Sequence, residues 1–298
     1  MPVYSENVRL RRSVLSVPAI NRRALEKTHM LDCDAVIFDL EDSVAPEKKA
    51  EARDNLRRFF TETPLRGREA IIRINALGSE FGQEDLELVR DLLPDAVALP
   101  KVEDVSSITG LEERLAAASP RLRIWAMMET ARGISSAVEI ARSANNAESR
   151  LDCFVIGLND LRKDTGVPAR PGRTYLVPWM MQVMLAARAY GLDVVDSVFN
   201  DFRDSPAFEA ECEQGRDMGF DGKMLIHPAQ IEAANQAFGP ASEAVEEAQA
   251  IIAAFARTEA QNLNVITMDG RMVERLHLVQ AEKLVAQANL IAERRIRA

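Results

Sequence analysis

Charged and amide side chains recur directly after short apolar runs along this sequence. They are Asp39, Glu41, Asp42, Arg73, Asn75, Lys101, Glu129, Asn159, Asp160 and His227. Carboxylates bind hard cations and transfer protons, while guanidinium and ammonium groups bind carboxylates and phosphates. The set therefore predicts a site that binds an anionic small molecule together with a divalent cation.

Two of these carboxylates, Glu129 and Asp160, follow consecutive apolar runs. Adjacent strands of a sheet lie about 4.8 Å apart, so both side chains can share one cation. Mg²⁺ suits them, because it needs few protein carboxylates and keeps water and substrate oxygens as its other ligands. The alternative is that each carboxylate pairs with an arginine or caps the following helix, as Asp160 could.

Arg73 lies within the apolar run Ile71, Ile72 and Ile74. A guanidinium among apolar neighbours is costly to bury unless it meets an anion. One such anion is a substrate carboxylate or a developing enolate. The alternative is a structural ion pair with Asp39 or Glu41, and both can hold if the two acids orient the arginine. Arg73, Asp39 and Glu41 are therefore predicted catalytic residues.

Arg23 and Lys27 are four residues apart, which places them on one face of a helix that follows the first apolar run. Together with the helix N-terminus they could bind a phosphate-bearing ligand. The alternative is a solvated basic face. Asn75 is predicted to bind substrate, whereas His227, before Pro228, is interpreted as a hydrogen-bonded residue at a strand end.

These side chains need elements that bring them to one place. Eight apolar, β-branched runs predict strands: Ser13–Val17, Ala35–Leu40, Ala70–Ile74, Ala96–Leu99, Arg123–Met128, Cys153–Ile156, Asp193–Val198 and Lys223–Ile226. Segments of helical periodicity alternate with them: Glu47–Phe60, Gln83–Leu92, Ser106–Ala118, Ile134–Ala144, Leu176–Tyr190 and Pro206–Met218. Eight such units predict an α/β fold, a (β/α)8 TIM barrel whose chemistry lies at the carboxyl ends of the strands. The alternative is an open doubly wound sheet, but no GxGxxG motif follows the first strand.

The pattern changes after residue 238. A helix (Ser242–Arg257), two short runs joined by Asp269-Gly270 and a final helix (Val279–Arg294) are predicted. Asp-Gly between two short runs is typical of a hairpin. We therefore expect a catalytic barrel over residues 1–238 and an extension over residues 239–298 that acts as a lid and an oligomer contact.

Composition narrows the class of protein. The 298 residues carry 37 Lys and Arg against 46 Asp and Glu, a net charge of −9, which argues against nucleic acid as a partner. The three cysteines form no CxxC pair, which favours a reducing compartment, and the longest apolar stretch is too short to span a bilayer. We expect a cytoplasmic protein with no membrane partner.

Several separate motifs, in order, resemble one family. They are Phe38-Asp39-Leu40-Glu41-Asp42-Ser43-Val44 with Lys49 and Arg53, Ile72-Arg73-Ile74-Asn75, Leu99-Pro100-Lys101, Met128-Glu129-Thr130-Ala131-Arg132-Gly133, Gly157-Leu158-Asn159-Asp160-Leu161, Gly219-Phe220-Asp221-Gly222-Lys223 and Ile226-His227-Pro228-Ala229-Gln230. Over nearly its whole length the chain is similar to the citrate lyase β-subunit-like group of the HpcH/HpaI aldolase superfamily, which includes malyl-CoA and citramalyl-CoA lyases.

The resemblance implies a Mg²⁺-dependent carbon–carbon lyase. Acetyl-CoA or propionyl-CoA and glyoxylate or pyruvate would be released from, or joined into, a 3-hydroxyacyl-CoA thioester. The metal ligands correspond to Glu129 and Asp160 and the substrate arginine to Arg73, while Arg23 and Lys27 would contact the phosphates of coenzyme A. The C-terminal segment would cover the active site of an adjacent subunit in a homotrimer or homohexamer.

Two motifs depart from the family. Pro18-Ala19-Ile20 replaces Pro-Gly-Ser/Asn where coenzyme A should pass, and Gly270-Arg271-Met272-Val273-Glu274 replaces Gly-Lys-Met-Ile-Asp. Glu274 keeps the carboxylate that would act as acid or base. Three alternatives to a stand-alone lyase stay open: a citrate lyase β subunit acting on a carrier-protein thioester, which the C-terminal extension disfavours, a malyl-CoA thioesterase, and a non-catalytic ligand-binding barrel.

Overall fold

The structure, a computed structural model, describes residues 9–257, 263–268 and 270–297. The chain divides into two compact units. One unit spans residues 11–238, and the described residues from 239 onward form the second together with Arg9 and Leu10.

The first unit is built on a closed barrel of eight parallel strands, in which each strand pairs with the next and the eighth pairs with the first. The strands are β1 (Ser13–Pro18), β2 (Ala35–Asp39), β3 (Glu69–Arg73), β4 (Ala96–Leu99), β5 (Arg123–Met128), β6 (Leu151–Ile156), β7 (Asp193–Asp196) and β8 (Gly222–Leu225). The predicted (β/α)8 TIM barrel is confirmed.

Helices alternate with these strands. They are α1 (Arg22–Lys27), α2 (Lys49–Glu62), α3 (Gly82–Leu92), α4 (Val105–Arg114), α5 (Ala131–Ser135), α6 (Ala137–Arg142), α7 (Leu158–Thr165), α8 (Val177–Ala189), α9 (Ser205–Asp217) and α10 (Ile231–Ala237). The helix expected over Ile134–Ala144 is broken at Ser136, which separates α5 from α6. Strand β7 ends two residues earlier than expected, at Asp196, whose carboxylate forms buried ion pairs with Arg173 and Lys223.

Two apolar layers hold the barrel together. Small and branched side chains fill its interior, among them Ala35, Ile71, Ala98, Val155 and Val195, while the opposite faces of the strands pack against the helices. Strands that are buried on both faces read as continuous apolar runs, which is why the sequence showed them so clearly.

Arg11 closes the amino-terminal end of the barrel. Its guanidinium donates to Glu69 and Asp193 at 2.8–2.9 Å, also contacts Asp152, and lies 4.7 Å from the centre of the Trp125 ring. Chemistry in such barrels occurs at the opposite, carboxyl end of the strands. The Arg11 cluster is therefore a structural feature.

The second unit contains α11 (Ser242–Ala256), the antiparallel strands β9 (Val265–Met268) and β10 (Arg271–Glu274), and α12 (Arg275–Arg297). Gly270 has a φ of 76° in the turn, a conformation that glycine adopts without strain, and Asp269 lies outside the described residues. Helix α12 begins four residues earlier than expected, because the Nδ1 atom of His277 accepts the Glu274 amide at 2.9 Å and caps the helix.

Cys33, Cys153 and Cys212 are all buried. Among the described residues, no helix is both long and apolar enough to cross a membrane.

Candidate active site

A chain of alternating charges lies at the carboxyl ends of β2, β3 and β4. Arg73 donates from Nε and Nη2 to the two oxygens of Asp39, both at 2.6 Å. Its Nη1 lies 2.9 Å from Oε2 of Glu41, and the other oxygen of Glu41 contacts the ammonium of Lys101. The acids thus orient the arginine, as the ion-pair interpretation of Arg73 predicts.

Asp39 and Glu41 differ in their electrostatic environment. Burial alone would raise the pKa of Asp39, but the charge and hydrogen bonds of Arg73 outweigh it and hold that pKa below its usual value. Burial raises the pKa of Glu41, and Arg73 and Lys101 only partly offset the effect. The ionised form of Asp39 is therefore favoured and orients Arg73, whereas the raised pKa of Glu41 makes this carboxylate the better proton acceptor of the two.

Lys101 links this chain to the next carboxylate. Its backbone has a φ of 49°, unusual for a residue with a side chain, and its amide donates to Oε1 of Glu129 at 2.8 Å. One residue therefore contacts Glu41 through its side chain and Glu129 through its backbone. Lys101 was one of the residues at strand ends, but no role was predicted for it, because spacing cannot show that a backbone amide points into the site.

Glu129 follows β5 and is only 1% exposed. Burial raises its pKa to about 7, assisted by the nearby charges of Glu41 and Asp160 and opposed by the Lys101 amide. A carboxylate that is so desolvated is stabilised by a cation, and none of the ion pairs between described residues includes Glu129.

Gly157, which follows β6, makes room for Glu129. A Cβ at this position would lie 2.4 Å from Oε2 and 2.5 Å from Cβ of Glu129. Any side chain here would displace the carboxylate. Gly157 was part of a matching motif, but no role was predicted for it.

Asp160 does not end a strand. It lies in the first turn of α7, half-buried, and close enough to Glu129 to raise the pKa of that residue. An acid in the first turn favours the helix dipole, but the N-cap residue of α7 is Gly157, so the expectation that Asp160 caps this helix is wrong, and its role as a metal ligand stays a prediction.

This pair fits Mg²⁺. No group of three or more His, Cys, Asp or Glu residues that could hold a metal occurs in the part of the chain that the structure describes. Mg²⁺ sites in enzymes commonly take one or two carboxylates and complete their shell with water and substrate. A pair of carboxylates, one of them buried, outside every ion pair between described residues and beside a glycine that leaves it room, matches that donor set.

Asn75 and Lys49 support the site from behind. Lys49 Nζ donates to the carbonyls of Leu40 and Glu41 and to Oδ1 of Asn75 at 2.6–2.8 Å. The Asn75 amide nitrogen donates to the Leu40 carbonyl at 3.0 Å and to Asp85 at 2.6 Å. Since both polar atoms of Asn75 are engaged, it would reach a substrate only by giving up one of these bonds.

Three further predicted residues lie on α1 and β10. Arg23 and Lys27 lie exposed on α1, and Glu274 lies exposed at the end of β10 in the second unit. Their roles with coenzyme A and as lid acid or base stay predictions. His227 accepts the Ala229 amide at 3.2 Å through Nδ1, in keeping with a hydrogen-bonded residue at a strand end.

The family model for HpcH/HpaI aldolase/citrate lyase matches residues 12–228. A (3S)-malyl-CoA thioesterase from Cereibacter sphaeroides is 46% identical over 281 residues, which is 94% of this chain and 95% of that protein. The citrate lyase subunit beta of Escherichia coli is 32% identical over 97% of this chain and 96% of its own. The crystal structure of the protein CitE from Mycobacterium tuberculosis, in complex with magnesium, acetoacetate and coenzyme A, superposes with a TM-score of 0.72 at 30% identity, covering 93% of this chain and 97% of that one.

One expectation is corrected by these matches. The similarity to the citrate lyase subunit covers 97% of this chain, so it extends over most of residues 239–298. The C-terminal extension therefore does not argue against a complex-bound lyase subunit. From the barrel, the ordered motifs and these matches together, the chain belongs to the HpcH/HpaI aldolase/citrate lyase family.

Proposed function

We propose that this protein is a Mg²⁺-dependent carbon–carbon lyase that cleaves a malyl-CoA-type 3-hydroxyacyl-CoA thioester. The observation that carries the proposal is the buried Glu129 carboxylate beside Asp160, which lies next to the charge chain that holds Arg73. A cation site and an anion site thus adjoin at the end of the barrel where chemistry is expected. A 2-oxo acid carries the carboxylate and carbonyl oxygens that such a pair recognises.

Glu129 and Asp160 would hold the metal, which when bound acts as a Lewis acid toward oxygen atoms of the substrate. Titration of Glu129 is coupled to this role. Because its pKa is raised to about 7, a bound cation would displace a proton from it near neutral pH.

Arg73 would stabilise negative charge in the reaction. Cleavage moves the electron pair of the C2–C3 bond onto the acyl-CoA fragment, which becomes an enolate, and a fixed guanidinium favours that charge. Asp39 keeps two of its nitrogens in place through the bonds of 2.6 Å, so little reorganisation is needed during the reaction.

Glu41 would accept the proton of the 3-hydroxyl group. Its Oε2 is buried, makes no hydrogen bond and lies beside Arg73, while burial raises its pKa. The proton passes from the hydroxyl to Glu41, and the C2–C3 bond breaks to leave the 2-oxo acid and the enolate. Glu274, from the extension of an adjacent subunit, would then donate the proton that the enolate takes up at C2.

Thioester hydrolysis is the second candidate function. It is favoured by the 46% identity to a (3S)-malyl-CoA thioesterase over nearly the whole chain. The same carboxylates and arginine would then act on a thioester that water attacks, releasing malate and free coenzyme A.

Two further parts of the proposal concern partners. Arg23 and Lys27 would bind the phosphates of coenzyme A, and the chain would assemble as a homotrimer or homohexamer. Reversal of both charges, Arg23→Glu with Lys27→Glu, is expected to raise KM for an acyl-CoA and leave kcat nearly unchanged. Light scattering during gel filtration measures the assembly state.

Product analysis tests the function. (3S)-Malyl-CoA and citramalyl-CoA are incubated with the protein, with and without Mg²⁺, and the 2-oxo acid, acyl-CoA and free thiol are each quantified. Metal-dependent 2-oxo acid and acyl-CoA without thiol supports the lyase, and thiol with malate supports the thioesterase. No product with either substrate contradicts both functions.

A further inference from the structure

Helix α7, which carries Asp160, begins without a cap of its own. Its N-cap residue is Gly157, which has no side chain to accept the free amides of the first turn. The glycine cannot be replaced by a capping serine or aspartate, because Glu129 occupies the space where its Cβ would lie. The glycine that leaves room for Glu129 thus deprives the helix that carries Asp160 of an N-cap side chain.

A residue of the neighbouring strand supplies the missing acceptor. The Leu158 amide, first in α7, donates to the hydroxyl of Ser197 at 3.2 Å. Ser197 follows β7, which pairs with β6, and its side chain is fully buried. Leu158 is itself 6% exposed, so water is a poor substitute for this bond.

The position of Ser197 is fixed from the other side. Its backbone amide donates to Asp196 Oδ1 at 2.8 Å, and Asp196 is held by Arg173 at 2.7 Å and by the fully buried Lys223 at 2.9 Å. Arg173 lies beyond the carboxyl end of α7, in the turn Pro171–Arg173, with a φ of 55°. Both ends of the segment from 157 to 173 are therefore tied to two consecutive residues, Asp196 and Ser197.

Two asparagine side chains form a third link between α7 and the segment after β7. Asn159 and Asn200 donate to each other at 3.2 and 2.9 Å. This pair is exposed, whereas the Ser197 bond is buried, so the serine is the stronger constraint on the first turn of α7.

We propose that Ser197 is a positioning residue for metal binding, which sets Asp160 opposite Glu129 by capping α7 from the next strand. The inference rests on the proposed function of Glu129 and Asp160. Loss of the hydroxyl leaves the buried Leu158 amide without an acceptor and frees the first turn to shift. Residues that orient metal ligands typically change metal affinity by about 10- to 100-fold when they are removed.

Calorimetric titration of the metal-free enzyme with Mg²⁺ tests the proposal without relying on turnover. Ser197→Ala is expected to raise Kd about 10-fold, while Ser197→Thr, which keeps the hydroxyl, stays within about 3-fold of the wild type. The matched control is Asp204→Ala, which removes the exposed cap of α9, where Asp204 accepts the Ala207 amide at 3.1 Å. It should lower Tm but leave Kd unchanged.

Asp160→Asn distinguishes failure of the positioning role of Ser197 from failure of the proposed metal site. If Asp160→Asn loses Mg²⁺ binding and Ser197→Ala binds like the wild type, the positioning role is wrong while the metal site stands. Equal loss in Ser197→Ala and Ser197→Thr also overturns it, because the hydroxyl is then not what matters. Undiminished binding by Asp160→Asn would overturn the metal site itself and the inference with it.

Discussion

Glu129 combines nearly complete burial with a neighbourhood of two other acids. Its pKa is raised to about 7 from a usual 4.5, chiefly by burial. A shift of this size corresponds to about 3 kcal/mol between the protonated and ionised forms. In the absence of metal the fold therefore favours the protonated form of Glu129 at a pH below about 7.

The first prediction concerns the pH dependence of stability. The pKa of Glu129 is higher in the folded than in the unfolded state. The stabilisation that protonated Glu129 gives the folded state is therefore fully present below about pH 4.5 and is lost as pH rises through about 7. In EDTA, the free energy of unfolding of the wild type should fall over this window relative to Glu129→Gln, measured by urea denaturation at several pH values. If the free energies of unfolding of the two proteins changed in parallel with pH, the raised pKa of Glu129 would be contradicted.

A second prediction concerns Arg73. Lysine cannot reproduce the two bonds of 2.6 Å to Asp39 together with the contact to Glu41, so Arg73→Lys leaves buried carboxylates only partly paired. We expect a loss of kcat/KM of at least about 100-fold and a destabilisation of about 3 kcal/mol. Arg57→Lys, at an exposed i,i+3 pair with Asp54, is the matched control and should change neither quantity. Near-normal kinetics in Arg73→Lys would exclude its proposed role.

At the scale of elements, the loops after β4, β5 and β6 meet around one carboxylate. The Lys101 amide, after β4, donates a hydrogen bond to Glu129, and Gly157, after β6, lacks the side chain that would overlap with Glu129. Both features are properties of the backbone. The strand-end positions of Arg73 and Glu129 could be predicted from apolar runs, because buried parallel strands have a strong sequence signal.

The remaining features of the site could not be predicted from the sequence. The left-handed backbone of Lys101 and the placement of Asp160 inside α7 depend on loop geometry, which periodicity does not encode. Asn75 shows the same limit, since its residue type suggested a ligand contact while the fold uses both of its polar atoms.

A third prediction tests the role of Gly157. In Gly157→Ala the new Cβ would meet Glu129 at 2.4 Å, so the carboxylate must move and Mg²⁺ affinity should fall by at least about 10-fold. The control is Gly110→Ala in the middle of α4, where the nearest atom to a new Cβ is an arginine nitrogen at 3.9 Å. It should stabilise the protein by up to about 1 kcal/mol without affecting the metal. Unchanged Mg²⁺ affinity in Gly157→Ala would show that Glu129 does not need the space that Gly157 leaves beside it.

At the scale of the whole barrel, its two ends have different roles. Arg11 gathers acids from β3, β6 and β7 at the amino-terminal end, and Arg73 gathers Asp39 and Glu41 at the carboxyl end. The barrel itself was predictable from eight alternating runs. The Arg11 cluster was not, because its partners are separated by 58 to 182 residues in the sequence.

A fourth prediction follows from this division. Arg11→Ala leaves Glu69 and its companion acids without their shared cation, and we expect a loss of about 3–5 kcal/mol in the free energy of unfolding. The KM and kcat of the protein that remains folded should be unchanged. Denaturation and kinetics on the same preparation measure both. A changed KM in the folded fraction of Arg11→Ala would contradict this prediction, because it would mean that the amino-terminal end of the barrel contributes to the site.

The central claim is that Glu129 and Asp160 hold the metal on which cleavage of a malyl-CoA-type thioester depends. The most direct measurement is turnover of (3S)-malyl-CoA by the wild type, Glu129→Gln and Asp160→Asn over a range of Mg²⁺ concentrations, with circular dichroism to establish folding. We predict that the wild type is active only with Mg²⁺ and that both folded variants lose turnover. Full Mg²⁺-dependent activity in either variant would contradict the assignment.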